Sequence, residues 1–182
     1  MFVFQYASTG GTLVTVDVDN RLLLRPARSS DLRALADLVN HEIRYGTATW
    51  TEKPRSEEYM ARWVVERTGS GFPVLVAEKD HVVGVASYSH FRSGEGYRHT
   101  IEHTVYVAPD HRREGIATAL LERLIKHAAS DGYHRMIGCI SGDQDASIRL
   151  HSDLGFYEAG RFKEIGRKFD RWLDLVMMVR DL

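Results

Sequence analysis

A single cysteine, Cys139, occurs in the 182 residues, so no disulfide can close within the chain, which suits a reducing cytoplasm. An excess of charge of either sign is also missing. The 24 Lys and Arg are matched by 25 Asp and Glu, which leaves no long-range attraction for nucleic acid or an anionic membrane. No stretch approaches the roughly 20 apolar residues that a membrane helix needs, and there is no internal repeat or low-complexity tract. The first 20 residues, MFVFQYASTGGTLVTVDVDN, are apolar at first, with no basic residue ahead of the apolar part, which argues against a secretory signal. They are set apart as an N-terminal extension: an extra strand, a disordered lead or residues ahead of a later start. The remainder, 21–182, is expected to be one domain, long enough to fold without a metal or disulfide staple.

Punctuation and periodicity divide that remainder. Leu22 to Arg25, before Pro26, reads as a short strand. Ser30 or Asp31 can cap a helix with apolar positions Leu32, Leu35, Leu38 and Val39. Tyr45 to Trp50 reads as a loop. A second helix starts at Ser56 and closes at Gly69 and Gly71. Strands follow at 74–78 and 82–88 around the turn Lys79-Asp80-His81, and a third runs from Thr100 to Val107, ended by Pro109. From Gly115 to Ala129, Ile116, Ala119, Leu120, Leu124 and Ala128 recur at helical spacing. A buried strand at 136–140, a helix capped by Asp145 and ended by Gly155, and two terminal strands complete a β-α-α-β-β-β-α-β-α-β-β order. That order is a mixed sheet with helices packed on it, an α/β (α+β) domain.

The stretch richest in chemistry is Arg112-Arg-Glu-Gly115-Ile-Ala117, which joins a strand to a strong helix. First-turn amides of such a helix have no internal partners, and the helix dipole makes that end positive. Small residues at 115 and 117 let a pyrophosphate approach the backbone, and Arg112 and Arg113 add charge beside it. A plain strand-to-helix turn, with glycine for geometry and arginines for solubility, fits the turn alone equally well. The dinucleotide fingerprint and the P-loop are both excluded, because the second glycine of the one and the G-K-[ST] of the other are missing.

Arg112-x-x-Gly115-x-Ala117 after a strand, with Leu154-Gly-Phe156 ending a later helix, resembles the GNAT superfamily of acetyltransferases. Gly96 to Val107, Ala146 to His151 and Arg171 to Leu175 narrow the resemblance to the phosphinothricin N-acetyltransferase branch. It covers about residues 22 to 182. It implies a mixed, mainly antiparallel sheet with helices on both faces, acetyl-CoA as cosubstrate, no metal, and transfer to a small amino-acid-like amine of the phosphinothricin or methionine sulfoximine type. A homodimer is implied too. Matched position by position, Glu102 is the acidic residue opposite the acetyl group. Val105, Tyr106 and Val107 face the acetyl and pantetheine, while Arg113, Glu114, Gly115, Ile116, Ala117 and Thr118 form the pyrophosphate turn with Arg112. His151 lies beside the thiol, as an acid or a holder of water. There are departures. Gln144 stands where an asparagine usually bonds the pantetheine, Ser141 where several members carry glutamate, and Ala117 replaces the common second glycine.

The chemistry agrees. An attacking amine must be neutral, and Glu102 is the candidate base. On a regular strand Thr100, Glu102, Thr104 and Tyr106 share one face, with Ile101, His103, Val105 and Val107 on the other. Backbone N–H groups near Tyr106 and Val107 are candidate oxyanion donors. A substrate carboxylate calls for arginine. The resemblance places Arg92 there, and Arg98 is the second candidate, although either also reads as a loop-solvating charge. Trp50, His103, Thr104 and Ser141 complete the acceptor side, with Phe91 and Tyr97 as further apolar walls. Cys139 reads as a core strand residue. His99 and His103 share a strand face but are about 13 Å apart, too far for one ion. The rival readings are an acetyltransferase for another amine, a CoA-sensing module without catalysis and, least supported, a nucleic-acid-binding module.

Overall fold

Val74, Leu75, Val76 and Ala77 form an unbroken buried run, and the two-residue period of a strand divides it between two cores. Leu75 and Ala77 join one apolar cluster, Val74 and Val76 the other. A sheet that is apolar on both faces must be covered on both. The computed structural model of the chain, which describes residues 22–182, has helices on each side. The extension at residues 1–20 lies outside the described residues.

The elements are β1 (Leu23–Pro26), α1 (Leu32–Tyr45), α2 (Glu57–Gly69), β2 (Val74–Glu78), β3 (Val82–His90), β4 (Thr100–Val107), α3 (Ile116–Ser130), β5 (Arg135–Ser141), α4 (Asp145–Asp153), β6 (Tyr157–Lys168) and β7 (Arg171–Asp181). Their order is the one read from the sequence. One face carries α1 and α2, through Leu35, Leu38 and Met60. The other carries α3, whose Ile116, Leu120, Leu121, Leu124 and Ala128 are wholly buried.

Two expected caps differ. Asp31 gives no cap to α1. Its carboxylate instead takes two hydrogen bonds from the Arg25 guanidinium, at 2.7 and 3.0 Å, and one from the Arg28 amide. At the start of α4 the capping position is Gln144, with Asp145 already in the first turn. The cap at Ser56 is as expected, its hydroxyl accepting from the Tyr59 amide at 3.1 Å.

The seven strands form one sheet in the order β1-β2-β3-β4-β5-β7-β6. Every neighbouring pair is antiparallel except β4 and β5. That parallel pair is short: Thr100 faces Arg135, Ile101 faces Met136 and Glu102 faces Ile137. Beyond it β4 stays with β3 as far as Val107, and β5 stays with β7 as far as Ser141. The sheet therefore opens as a wedge just past Glu102.

Candidate active site

The wedge holds a cavity of about 360 Å³. One wall is β4 from Glu102 to Tyr106, and the opposite wall is β5 from Cys139 to Ser141. Gln144, Ser147 and His151 of the α4 segment close one side, and Thr47 to Trp50, between α1 and α2, close the other.

Backbone polarity in the wedge follows from alternation. The Thr100 carbonyl accepts from the Phe91 amide and the Ala108 amide donates to Val83, both toward β3, whereas the His99 carbonyl accepts from His134 and Arg135 at β5. The β3–β4 register runs without a shift from Ile101 to Val107, so odd-numbered residues turn their N–H and C=O toward β5. Val105 and Val107 thus aim their amides into the gap. Tyr106, expected to lie near the donors, points its amide back to β3.

Glu102 lies at the point where the strands part. Burial pushes its carboxyl above the ordinary carboxylate range, opposed by a hydrogen bond from the Cys139 thiol and by the charge of Arg92. The same surroundings push the Cys139 thiol up to about 12, so Cys139 is a cavity-wall thiol rather than a thiolate. On the other face of β4, His103 stacks against His151 of α4, ring centroids 5.0 Å apart, and Phe156 packs edge-on to both. Their Nε2 atoms are 3.0 Å apart, and His151 Nδ1 is 2.7 Å from the Ser147 carbonyl. Burial holds both rings below the ordinary histidine value, His103 at about 3.

The α1–α2 loop is pinned three times. The buried Lys168 ammonium donates to the carbonyls of Glu42, Gly46 and Thr49 at 2.8, 2.7 and 2.6 Å. Trp50 packs closely on Gly166, where a β-carbon would run into its ring. The Thr47 hydroxyl donates to the Asp143 carboxylate at 2.8 Å and accepts from the Gln144 side-chain Nε2 at 2.6 Å. At the far end of β4, Arg113 and Gly115 both have left-handed backbones, φ 63° and 78°. Since the first helical bond of α3 runs from the Ala119 amide to the Gly115 carbonyl, the amides of Ile116, Ala117 and Thr118 have no partner within the helix.

A sequence model described as the acetyltransferase (GNAT) family matches residues 35–156. The chain belongs to the GNAT acetyltransferase family. It is 42% identical over 156 residues to an L-amino acid N-acyltransferase, MnaT, of Escherichia coli, covering 85% of this chain and 91% of that one. It is 39% identical to an L-methionine sulfoximine/L-methionine sulfone acetyltransferase of Salmonella typhimurium, over 86% of this chain and 92% of that one. A crystal structure of a phosphinothricin acetyltransferase from Sinorhizobium meliloti in complex with AcCoA superimposes with a TM-score of 0.86, at 38% identity and 88% coverage of both chains.

In this GNAT protein the wedge gathers Trp50, Glu102, His103, Thr104, Val105, Tyr106, Ser141, Gln144 and His151 around one cavity. Val107 and residues 112–118 lie beyond it. The Arg112 guanidinium is turned to the buried Glu42 of α1, so Arg113 is the cation left beside the turn, while Glu114 pairs with Lys79 at 2.5 Å. Arg92 and Arg98 are exposed on the β3–β4 connection, outside the cavity wall. Arg92 sits over the Phe91 ring, which packs edge-on to Tyr97, and Arg98 donates to the Glu95 carbonyl.

The sequence reading missed Lys168, Thr47 and Thr49, which shape the cavity, because only folding brings them to it. No helix among the described residues is long and apolar enough to cross a membrane, and no three His, Cys, Asp or Glu among them cluster to hold a metal ion.

Proposed function

We propose that this chain transfers an acetyl group from acetyl-CoA to the amine of a small amino-acid-like acceptor of the phosphinothricin or methionine sulfoximine type. The observation that carries the reading is the β4–β5 wedge, with a desolvated carboxylate, Glu102, at its apex. The fit for acetyl-CoA rests on two features of this chain. Unpartnered amides at the start of α3, with Arg113 beside them, suit a pyrophosphate. The wedge, with the inward amides of Val105 and Val107, suits an extended amide-bearing arm.

Acetyl-CoA, when bound, would supply a thioester carbonyl for the neutral amine to attack. The C–N bond would form as the C–S bond breaks, CoA leaving as its thiolate and the second amine proton passing to that thiolate or to solvent. Glu102 takes the proton from the ammonium of the acceptor, directly or through a water, and its raised pKa brings it closer to the working pH. Val105, which lines the cavity, offers its N–H to the oxygen on which charge develops, and Val107, further along β4, offers its own to the extended arm. His151 borders the thiol end. Holding amine and thioester together contributes up to roughly 7–11 kcal/mol when the orientation is ideal. Arg92, whose charge reaches Glu102, receives the acceptor's carboxylate, with Arg98 as the second candidate, while Trp50, Thr104 and Ser141 border the acceptor.

Two further expectations accompany this reading. A homodimer is supported by the exposed Tyr157, Phe162, Ile165, Phe169 and Trp172 on β6, β7 and their turn, with β6 at the sheet edge. Light scattering after gel filtration checks it, and a monomeric mass refutes it. The single cysteine is consistent with a cytoplasmic location.

The decisive experiment is a thiol-release assay with acetyl-CoA against phosphinothricin, methionine sulfoximine and a panel of amino acids and amines. Saturable turnover on the first two is the expected result. Turnover only on other amines overturns the acceptor and keeps the reaction. Binding of acetyl-CoA without turnover on any acceptor would favour a sensor.

A further inference from the structure

The direction of the hydrogen bond between His103 and His151 follows from its surroundings. A carbonyl oxygen only accepts, so His151 Nδ1, 2.7 Å from the Ser147 carbonyl, carries a hydrogen. In a neutral ring the other nitrogen, Nε2, is then a bare lone pair. His103 Nε2, 3.0 Å away, must therefore be the N–H donor. The lone pair of His103 falls on Nδ1, which is buried and has no partner among the described residues.

A charged ring would reverse this assignment, but the site disfavours charge. The two rings lie nearly parallel with Phe156 edge-on to both, and no carboxylate contributes to the titration of either. From β5, Gly138 makes room for the pair: a β-carbon there would lie 2.9 Å from His103 Nε2 and 3.1 Å from His151 Nε2.

We propose that His103 is a positioning residue for the transfer reaction, its Nε2–H locking His151 in the Nδ1–H tautomer and keeping that wall of the wedge uncharged. This rests on the acetyltransferase reading of the cavity. Both ring protons are committed, one to Ser147 and one within the pair. His151 thus contributes an aligned neutral ring and lends no proton while the pair is intact. Among the groups facing one another across the wedge, Cys139 stays a thiol, and Glu102, its carboxyl raised by burial against the pull of Cys139 and Arg92, is left as the group that exchanges a proton.

Long-range proton–nitrogen correlation spectra of the full chain, labelled with nitrogen-15 at histidine, test the bond without any ligand. Between pH 5 and 8, roughly the range in which an ordinary histidine titrates, His151 should remain Nδ1–H and His103 Nε2–H. Titration of either ring in that range, or the opposite tautomers, overturns the proposal.

Kinetics test the role. His103→Ala should lower kcat about tenfold, a typical size for a general effect on positioning, with the acceptor KM within about twofold. His103→Gln, whose amide can replace the N–H donor, should recover most of that loss. A folded His103→Ala protein with the kcat of the parent refutes the role. Should that variant fail to fold, Gly138→Ala separates the rings by a different route and must also lower kcat. An unchanged kcat with the rings shown to be separated refutes the role equally. Absence of turnover in the parent chain would remove the reaction while leaving the tautomer result to decide the bond.

Discussion

The ammonium of Lys168, at the end of β6, lies 2.7 Å from the carbonyl oxygen of Gly46, 122 residues earlier in the chain. With the Glu42 and Thr49 carbonyls it satisfies all three of its N–H donors, and Lys168 is only 1% exposed. The same contacts tie the end of α1 to the loop, Thr47 to Trp50, that closes one side of the cavity. Lys168→Met leaves three carbonyls without their donor, at a cost of about 2 kcal/mol or more. The expected outcome is a lower melting temperature and an acceptor KM raised about tenfold, with the acetyl-CoA KM changed far less. An acceptor KM equal to the parent's would show that the loop holds its place without the lysine.

Glu102 makes opposite predictions for activity and stability. A base must be ionised, so the acid limb of the rate profile should lie above the ordinary glutamate value of 4.5, in the direction that burial shifts it. A carboxyl whose pKa is raised on folding favours the folded state at pH below its unfolded value. That contribution is lost as pH rises through the raised pKa. At neutral pH Glu102 therefore costs stability. Glu102→Gln should lower kcat by about 10²- to 10⁴-fold while the melting temperature at pH 7 holds or rises. Undiminished turnover in this variant would remove Glu102 as the base.

Cys139 acts on the same titration from the facing strand. Its thiol donates to the carboxylate form of Glu102 and so favours ionisation. Removing the donor in Cys139→Ala should move the acid limb of kcat to higher pH by about 0.5–1 unit, and Cys139→Ser should hold it near the parent position. The Arg92 charge acts in the same sense, so Arg92→Gln should add to the shift. An acid limb that stays fixed in both Cys139→Ala and Arg92→Gln would mean that it reports some other group.

What could be read from the sequence was local. The strand from Thr100 to Val107 came out with its observed ends, because Pro109 and the two-residue period mark it without help from its partners. The run at Val74 to Ala77 was legible as a strand, while its burial on both faces is seen only in the fold. The opening of the sheet past Glu102 is a matter of which strands stay paired, and Ile137 and Glu102 meet only once the chain has crossed over through α3. The carboxylate of Asp31 was available to cap α1, and its capture by Arg25 depends on a strand on the other side of a turn. Lys168 gave no sign of its role, since a lysine in a long strand ordinarily faces water. His103 and His151 lie 48 residues apart, in two separate stretches whose spacing says nothing of their meeting. The resemblance to a family supplied residues for the site, while the pairing that constrains their protons is visible only in three dimensions.

Gly115 separates backbone conformation from packing in the turn that leads into α3. Its φ is 78°, in the left-handed region, and a β-carbon built there would meet nothing within 4 Å. A substituent therefore causes no clash, and any loss reflects the backbone alone. A left-handed residue other than glycine costs roughly 1–2 kcal/mol, less for asparagine and more for a β-branched side chain. Relaxing the turn to avoid that cost would swing the amides of Ile116 and Ala117 away from the position they share at the head of α3. The acetyl-CoA KM should therefore rise in the order Gly115→Asn, Gly115→Ala, Gly115→Val, reaching about tenfold for the last, with the acceptor KM unchanged. A flat series would mean that the pyrophosphate is held by side chains such as Arg113, and Arg113→Gln would then have to carry the loss. A rise in the acceptor KM instead would place the turn on the wrong side of the wedge.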